Sequence, residues 1–341
     1  MSNERLEALT LWYRGLSEKH VSTPVMISGD ASFRKFYRVD EGILMDAPPA
    51  TEKNHEFVDL SGMYLSNGIR VPKVIAVDYE QGFILVDDLG DETMSKRMSS
   101  ADGTALCLDA VSLLGRLAAA DAGDLPPFDR EFMLREITIG TEWYFQKALG
   151  VTFSKRDQKT LESASRIMIA NNLKQPQVFM HRDFHCRNIM ITGDEFALVD
   201  FQDSVHGPLC YDFASMVFDC YRDFSEKERN SLTKAFLNEV KKRKVVSENV
   251  DFVQFRKMVY LTAIQRLYKC VGIFSRLYLR DGKKGYLQYI PRVIYNIKMI
   301  CSMYPSLSGL SDLFTKYERH NVDFASMVDE CSTFNTANLK R

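Results

Sequence analysis

Two stretches hold residue types at spacings that could do chemistry. His181-Arg182-Asp183 is followed, five residues after the aspartate, by Asn188, and the apolar run Ala197-Leu198-Val199 ends on a second carboxylate, Asp200. Together they suit transfer of a phosphoryl group to a hydroxyl. A γ-phosphoryl group in flight spreads negative charge over its oxygens, so positioning and electrostatic stabilisation carry most of the catalysis. Asp183 would accept a hydrogen bond from the attacking hydroxyl. Asn188 and Asp200 offer the hard oxygen ligands that Mg²⁺ prefers, and the metal would bridge the nucleotide phosphates. His181, His185 and Cys186 could hold zinc only if a helix presented them, and the flanking pattern is strand and loop.

These residues need rigid flanks, and the sequence supplies them. Val178-Phe179-Met180, Ile189-Met190-Ile191 and Ala197-Leu198-Val199 are apolar, and Thr192-Gly193-Asp194-Glu195 between the last two reads as a hairpin turn. Upstream, helical spacing over 4–19 precedes a strand, a small polar turn and a second strand across 25–39. The strand over 43–47 stops at Pro48-Pro49, which lacks a donor for the ladder. A helix over 52–66 and strands over 73–77 and 82–86 then lead to Asp87-Asp88-Leu89-Gly90, a connection to a second lobe. Beyond it the pattern is helical over 101–120, 130–149, 155–171, 211–221, 226–243, 252–279 and 286–303, and 332–341 reads as a frayed end. The expected fold class is therefore α+β, with a small antiparallel β-rich lobe over 1–88 and a larger, mainly helical lobe over 89–341.

Composition sets outer limits. With 341 residues, 45% hydrophobic and 26% charged, the chain can build two sizeable lobes, and disorder is not its default state. Lys and Arg total 44 against 45 Asp and Glu, so whole-chain charge points to neither nucleic acid nor a membrane surface. No apolar run approaches the ~18 residues of a membrane span, and the start lacks a secretory pattern. Seven scattered cysteines with no C-x-x-C pair fit reduced thiols, so a cytoplasmic compartment is expected.

A small β lobe followed by a helical lobe carrying His-Arg-Asp, the offset Asn and a carboxylate after a hairpin resembles the aminoglycoside phosphotransferase family of protein-kinase-like small-molecule kinases, over about 25–280. Within that family the chain looks like the bacterial anomeric kinases of peptidoglycan recycling, which phosphorylate the C1 hydroxyl of N-acetylmuramate and N-acetylglucosamine. The residues behind this narrower likeness are 28–34, 43–49, the catalytic loop, 199–208, Gly272-Ile273-Phe274 and 279–283. The resemblance implies an ATP- and Mg²⁺-dependent kinase. It implies that Ser28, Gly29, Asp30, Ala31, Ser32 and Arg34 cover the phosphates and that Asp87 and Leu89 meet the nucleotide. No G-x-G-x-x-G loop is present, Gln202 follows Asp200-Phe201, and no A-P-E segment occurs, which argues against a protein kinase. Met45-Asp46 stands where a phosphate-binding Lys is expected. Arg34 or Arg38 could supply that cation, with Glu56 as an acidic partner or as a solvated carboxylate.

On the acceptor side, Arg187, Asp203 and His206 could reach a sugar hydroxyl. His181 and Asp212 read as structural, Asp212 as the N-cap of the helix that follows it and, by the resemblance, as a brace for the catalytic loop. Between Asp251 and Arg292 there are nine Lys or Arg against two Asp. At ~100° per residue Arg266, Lys269, Arg276 and Arg280 fall on one helix face, a basic stripe opposite an apolar one. If it lines the acceptor cleft it disfavours a polycationic aminoglycoside and suits a neutral or carboxylate-bearing sugar; otherwise it is a solvated face. Two alternatives stay open: a kinase for an aminoglycoside or amino alcohol, and a catalytically silent nucleotide-binding module.

Overall fold

The short apolar runs on either side of the turn at 40–41 pair with each other, and the rest of the first sheet grows from them. The computed structural model describes residues 2–16, 22–27, 34–98, 103–193 and 195–318. Its strands are β1 (Val25–Ile27), β2 (Lys35–Val39), β3 (Gly42–Asp46), β4 (Val74–Asp78), β5 (Phe83–Val86), β6 (Gln177–Met180), β7 (Ile189–Thr192), β8 (Glu195–Leu198) and β9 (Val205–Pro208). Its α-helices are α1 (Ser2–Gly15), α2 (Asn54–Ser66), α3 (Met94–Arg97), α4 (Gly103–Ala118), α5 (Arg130–Ile139), α6 (Lys155–Leu173), α7 (Cys210–Val217), α8 (Glu226–Lys242), α9 (Phe252–Asp281), α10 (Ile290–Met303) and α11 (Ser308–Glu318).

The chain forms two compact units that interleave along it, where sequence reasoning drew a single division at 88/89. The first comprises residues up to Asp121 together with His181–Ser204. Its antiparallel sheet has the order β1-β2-β3-β5-β4. All five residues of β3 are buried, as expected for a strand flanked on both edges. Leu9 and Tyr13 of α1 pack with Tyr37, Val39, Leu44, Phe83 and Leu85. Arg5 of α1 also reaches Asp46, donating through Nε at 2.9 Å, so the acid where a Lys was sought is a structural anchor. α2 begins at Asn54, later than expected; Glu52 therefore precedes it and Glu56 lies exposed in its first turn. β7 and β8 form the anticipated hairpin, with Ile189 opposite Leu198.

The second unit comprises Ala122–Met180 and the chain from Val205 onward. It is built around α9, whose 30 residues span ~45 Å and bury a wide face. Local sequence explains the helix starts. Asp129 accepts from the Phe132 N–H, capping boxes Ser154/Asp157 and Ser225/Glu228 open α6 and α8, and Asp251 caps α9. The helix expected over 130–149 divides into α5 and a π-helical segment, Gly140–Ala148. There α9 approaches closely: a Cβ on Gly140 would lie 2.4 Å from the Tyr268 carbonyl oxygen, and one on Gly272 would lie 2.3 Å from that of Ile139. The pairing of β6 with β9 was not anticipated, nor was α11. α7 ends at Val217, short of the expected 221, and Leu209 is its N-cap. Asp212 is therefore a buried residue of the first helical turn and not the cap.

Candidate functional site

The loop from His181 to Asn188 belongs to the first unit, and its own backbone sets its shape. The His185 N–H donates to the Asp183 carbonyl at 3.0 Å and the Asn188 N–H to that of His185 at 2.9 Å. The Val199 N–H then donates to the Asn188 carbonyl at 3.0 Å, which ties the loop to the strand that delivers Asp200. Arg182 and Asp200 have φ of 78° and 63°, left-handed values that cost non-glycine residues roughly 1–2 kcal/mol each. Two such residues bracketing one loop mark it as a place where geometry takes precedence over backbone comfort.

His181 is fully buried and accepts the Asp183 N–H at Nδ1, 3.3 Å away. Burial pushes its pKa down to about 4 against the pull of the Asp183 charge, so it stays neutral. Tyr64 and Phe184 meet its ring edge-on. It serves as a loop anchor.

Asn188 donates from Nδ2 to the Asp183 carbonyl at 3.1 Å and faces Asp200 Oδ2 at 3.4 Å. With its nitrogen so engaged, the Asn188 Oδ1 is the hard donor of that side chain. Asp200 is exposed at the surface, yet its carboxyl is pushed above the usual range, first by desolvation and then by the Asp183 charge. Gln202, donating at 2.8 Å, and the Arg34 cation act in the opposite direction. Two acids pressing on each other beside an amide oxygen fit a divalent cation.

Ser28, Gly29, Asp30, Ala31 and Ser32 lie outside the described residues. Arg34 is 7% exposed, with Nε 2.7 Å from Glu52 Oε2. Its guanidinium lies over the Phe57 ring at 5.6 Å, and Phe57 stacks on Phe201 at 4.9 Å, the residue after Asp200. Sequence reasoning missed Glu52 because the helix was expected to contain it and Glu56 was considered in its place. Arg38 is committed elsewhere. Its Nε donates to Asp88 at 2.6 Å and its Nη1 to Asp91 at 2.8 Å, and these carboxylates hold it firmly protonated. Asp87 accepts from Arg70 and from the Lys73 N–H, while Leu89 is buried with Met190 and Ala197 and its carbonyl accepts from Thr192. Arg187 is exposed, and Asp203 pairs with Lys53 at 2.9 Å.

In the second unit His206 is half-buried on β9, where its N–H donates to Pro126 and its carbonyl accepts from Phe128. The basic stripe on α9 is not a uniformly solvated face. Arg266 and Lys269 are buried, Arg276 is half-buried, and Arg280 is exposed and pairs with Asp281. Lys269 lies 3.1 Å from Glu136, and Tyr211 donates to the same carboxylate at 2.8 Å. Arg266 Nη1 approaches Cys270 Sγ at 3.7 Å. Angular proximity on the wheel failed because α5 supplies an acid to Lys269 inside the packed unit. Burial of Arg266 and Lys269 overturns the alternative of a solvated face.

The sequence profile of the phosphotransferase enzyme family matches residues 25–245. The chain is 32% identical over 294 residues to the N-acetylmuramate/N-acetylglucosamine kinase of Pseudomonas aeruginosa, covering 84% of this chain and 86% of that protein. It is 33% identical over 304 residues to the protein of the same name from Neisseria meningitidis serogroup B, covering 85% and 89%. Among solved structures it is similar to the ADP-bound aminoglycoside phosphotransferase APH(2'')-Ib, with TM-score 0.56 and 13% identity over 87% of this chain and 98% of that one. That likeness shows the protein-kinase-like α+β fold.

Proposed function

Because the chain belongs to the phosphotransferase enzyme family, we propose that it is an ATP-dependent kinase for the anomeric C1 hydroxyl of N-acetylmuramate and/or N-acetylglucosamine, acting in cell-wall recycling. The observation that carries this reading is near-full-length similarity to two kinases of that name in a chain that keeps Asp183, Asn188 and Asp200. No described helix is long and apolar enough to cross a membrane. We place the reaction in the cytoplasm, where ATP is available.

In this reading Asp183 accepts the hydrogen bond of the sugar hydroxyl, aligning its oxygen and taking its proton as the new P–O bond forms. The bond from the γ-phosphorus to the bridging oxygen breaks, and ADP leaves with that oxygen. Asn188 Oδ1 and the Asp200 carboxylate would hold Mg²⁺. When bound, the metal offsets the charge that builds on the phosphate oxygens. Arg34, fixed by Glu52 and Phe57, takes the phosphate-facing cation's role in place of Lys. Arginine suits it, since its fork engages two phosphate oxygens and does not lose its proton on burial.

The test is ADP release with Mg-ATP against N-acetylmuramate, N-acetylglucosamine, kanamycin and choline, with NMR identification of the product. A C1-phosphate that disappears in Asp183→Ala is the expected result. Turnover confined to kanamycin or choline would overturn the acceptor and keep the phosphotransferase, and no turnover with any acceptor would favour a silent nucleotide-binding module.

A further inference from the structure

Behind the connection at 87–92, the first unit carries a groove of about 460 Å³ that the kinase reading leaves unused. Arg70, Arg97 and Arg116 line it together with Asp109, Ser112 and Glu195. Asp109, Ser112 and Arg116 stand at i, i+3 and i+7 on α4, so they share one face, and Asp109 and Arg116 are ~10 Å apart along the axis. Neither pairs with the other, and Arg116 has no carboxylate partner among the described residues. Cations, carboxylates and a hydroxyl are thus spaced round a gap the size of a small polar molecule.

The same residues hold the connection. Arg70 donates to Asp87, and its carbonyl accepts the Leu198 N–H at 2.8 Å. Arg97 lies 3.5 Å from Glu92, whose carbonyl accepts the Ile191 N–H at 2.7 Å. A ligand seated here would touch the groups that fasten the connection to the β7–β8 hairpin, whose ends adjoin Asn188 and Val199-Asp200.

We propose that this groove is a second, regulatory site for a sugar phosphate. The phosphate would lie on the guanidinium groups, which match it in charge and bidentate geometry, and the sugar hydroxyls would donate to Asp109 and Glu195. A phosphate drawing Arg70 from Asp87 loosens the connection, so occupancy lowers nucleotide affinity. The ligand is then of the product's own chemical class, a point that rests on the kinase reading; the groove itself does not.

The experiment is calorimetry of the full chain with N-acetylglucosamine 1-phosphate, in wild type, Arg116→Glu and Arg97→Ala, with thermal melts to verify folding. Wild type binds one equivalent more than either variant, two against one where the active site also takes the product, and in Arg116→Glu kcat and the KM for ATP without added product are unchanged. In kinetics the sugar phosphate shows an inhibition component non-competitive with acceptor in wild type, weakened at least tenfold in Arg116→Glu. The same number of equivalents in wild type as in both variants, whatever that number is, overturns the proposal. Calorimetry reads the groove even if the chain phosphorylates none of the tested acceptors, so failure of the kinase reading and failure of the groove are told apart.

Discussion

The loop at 181–200 and the buried Glu136–Tyr211–Lys269 triad treat charge in opposite ways. In the triad every charge has a close partner of opposite sign or a hydroxyl, and the group lies inside the second unit. In the loop Asp183 and Asp200 raise each other's energy, and two backbones adopt left-handed φ. A compensated cluster holds shape. An uncompensated one carries a cost that a divalent cation bound there would offset. Substitutions in the two places should therefore separate activity from stability.

The largest effect should come from Asp183→Ala, which removes the hydroxyl's acceptor and lowers kcat about a thousandfold. It also relieves Asp200, so the melting temperature of the metal-free protein should hold or rise. A fall of several degrees would break the contrast. Next is Lys269→Met, which strands a buried carboxylate and should cost about 3 kcal/mol in urea unfolding, with KM for acceptor unchanged. The double variant Glu136→Leu/Lys269→Met should recover most of that loss. A raised acceptor KM in folded Lys269→Met would mean that the triad does more than hold shape.

His181 sharpens the comparison by pH. The unfolded chain takes up its proton near 6.5 and the folded chain only near 4. The unfolded state binds more protons in that window, so stability is full above it and falls as pH drops from 6.5 towards 4, by roughly 3 kcal/mol in all. His181→Gln should flatten this segment of the stability profile in chemical denaturation at stepped pH. The smallest effects separate two arginines. Arg34→Gln should raise the ATP KM about tenfold, a ~1.4 kcal/mol loss, whereas Arg38→Gln should leave it within twofold because its exposed pairs contribute under ~1 kcal/mol.

What could be read beforehand follows from range along the chain. The turn-rich loop at 181–188 and the hairpin after it were legible because their residues are neighbours in sequence. The sheet strands were legible from alternation and from the prolines that end them. Glu52 was not, because its role depends on where α2 starts, and helix starts are the least determined part of a pattern. The α9 arginines and Lys269 misled because a helical wheel gives angles but not what packs there. β9 escaped since Val205-His206-Gly207-Pro208 reads as a turn until β6, about 27 residues earlier, pairs with it.

The contact between the π-helical segment and α9 carries an evolutionary consequence. Glycine inside a helix ordinarily costs about 1 kcal/mol relative to alanine, so at most such positions drift towards alanine is free to occur. At Gly140 and Gly272 the sign reverses, because an added methyl would enter a main-chain oxygen's volume on the facing helix. In a survey of tolerated variants these two positions should be as bare as Asp183, though neither bears a reactive atom. Invariance there would record two backbones touching, and would be misread as catalysis by anyone who equates the two.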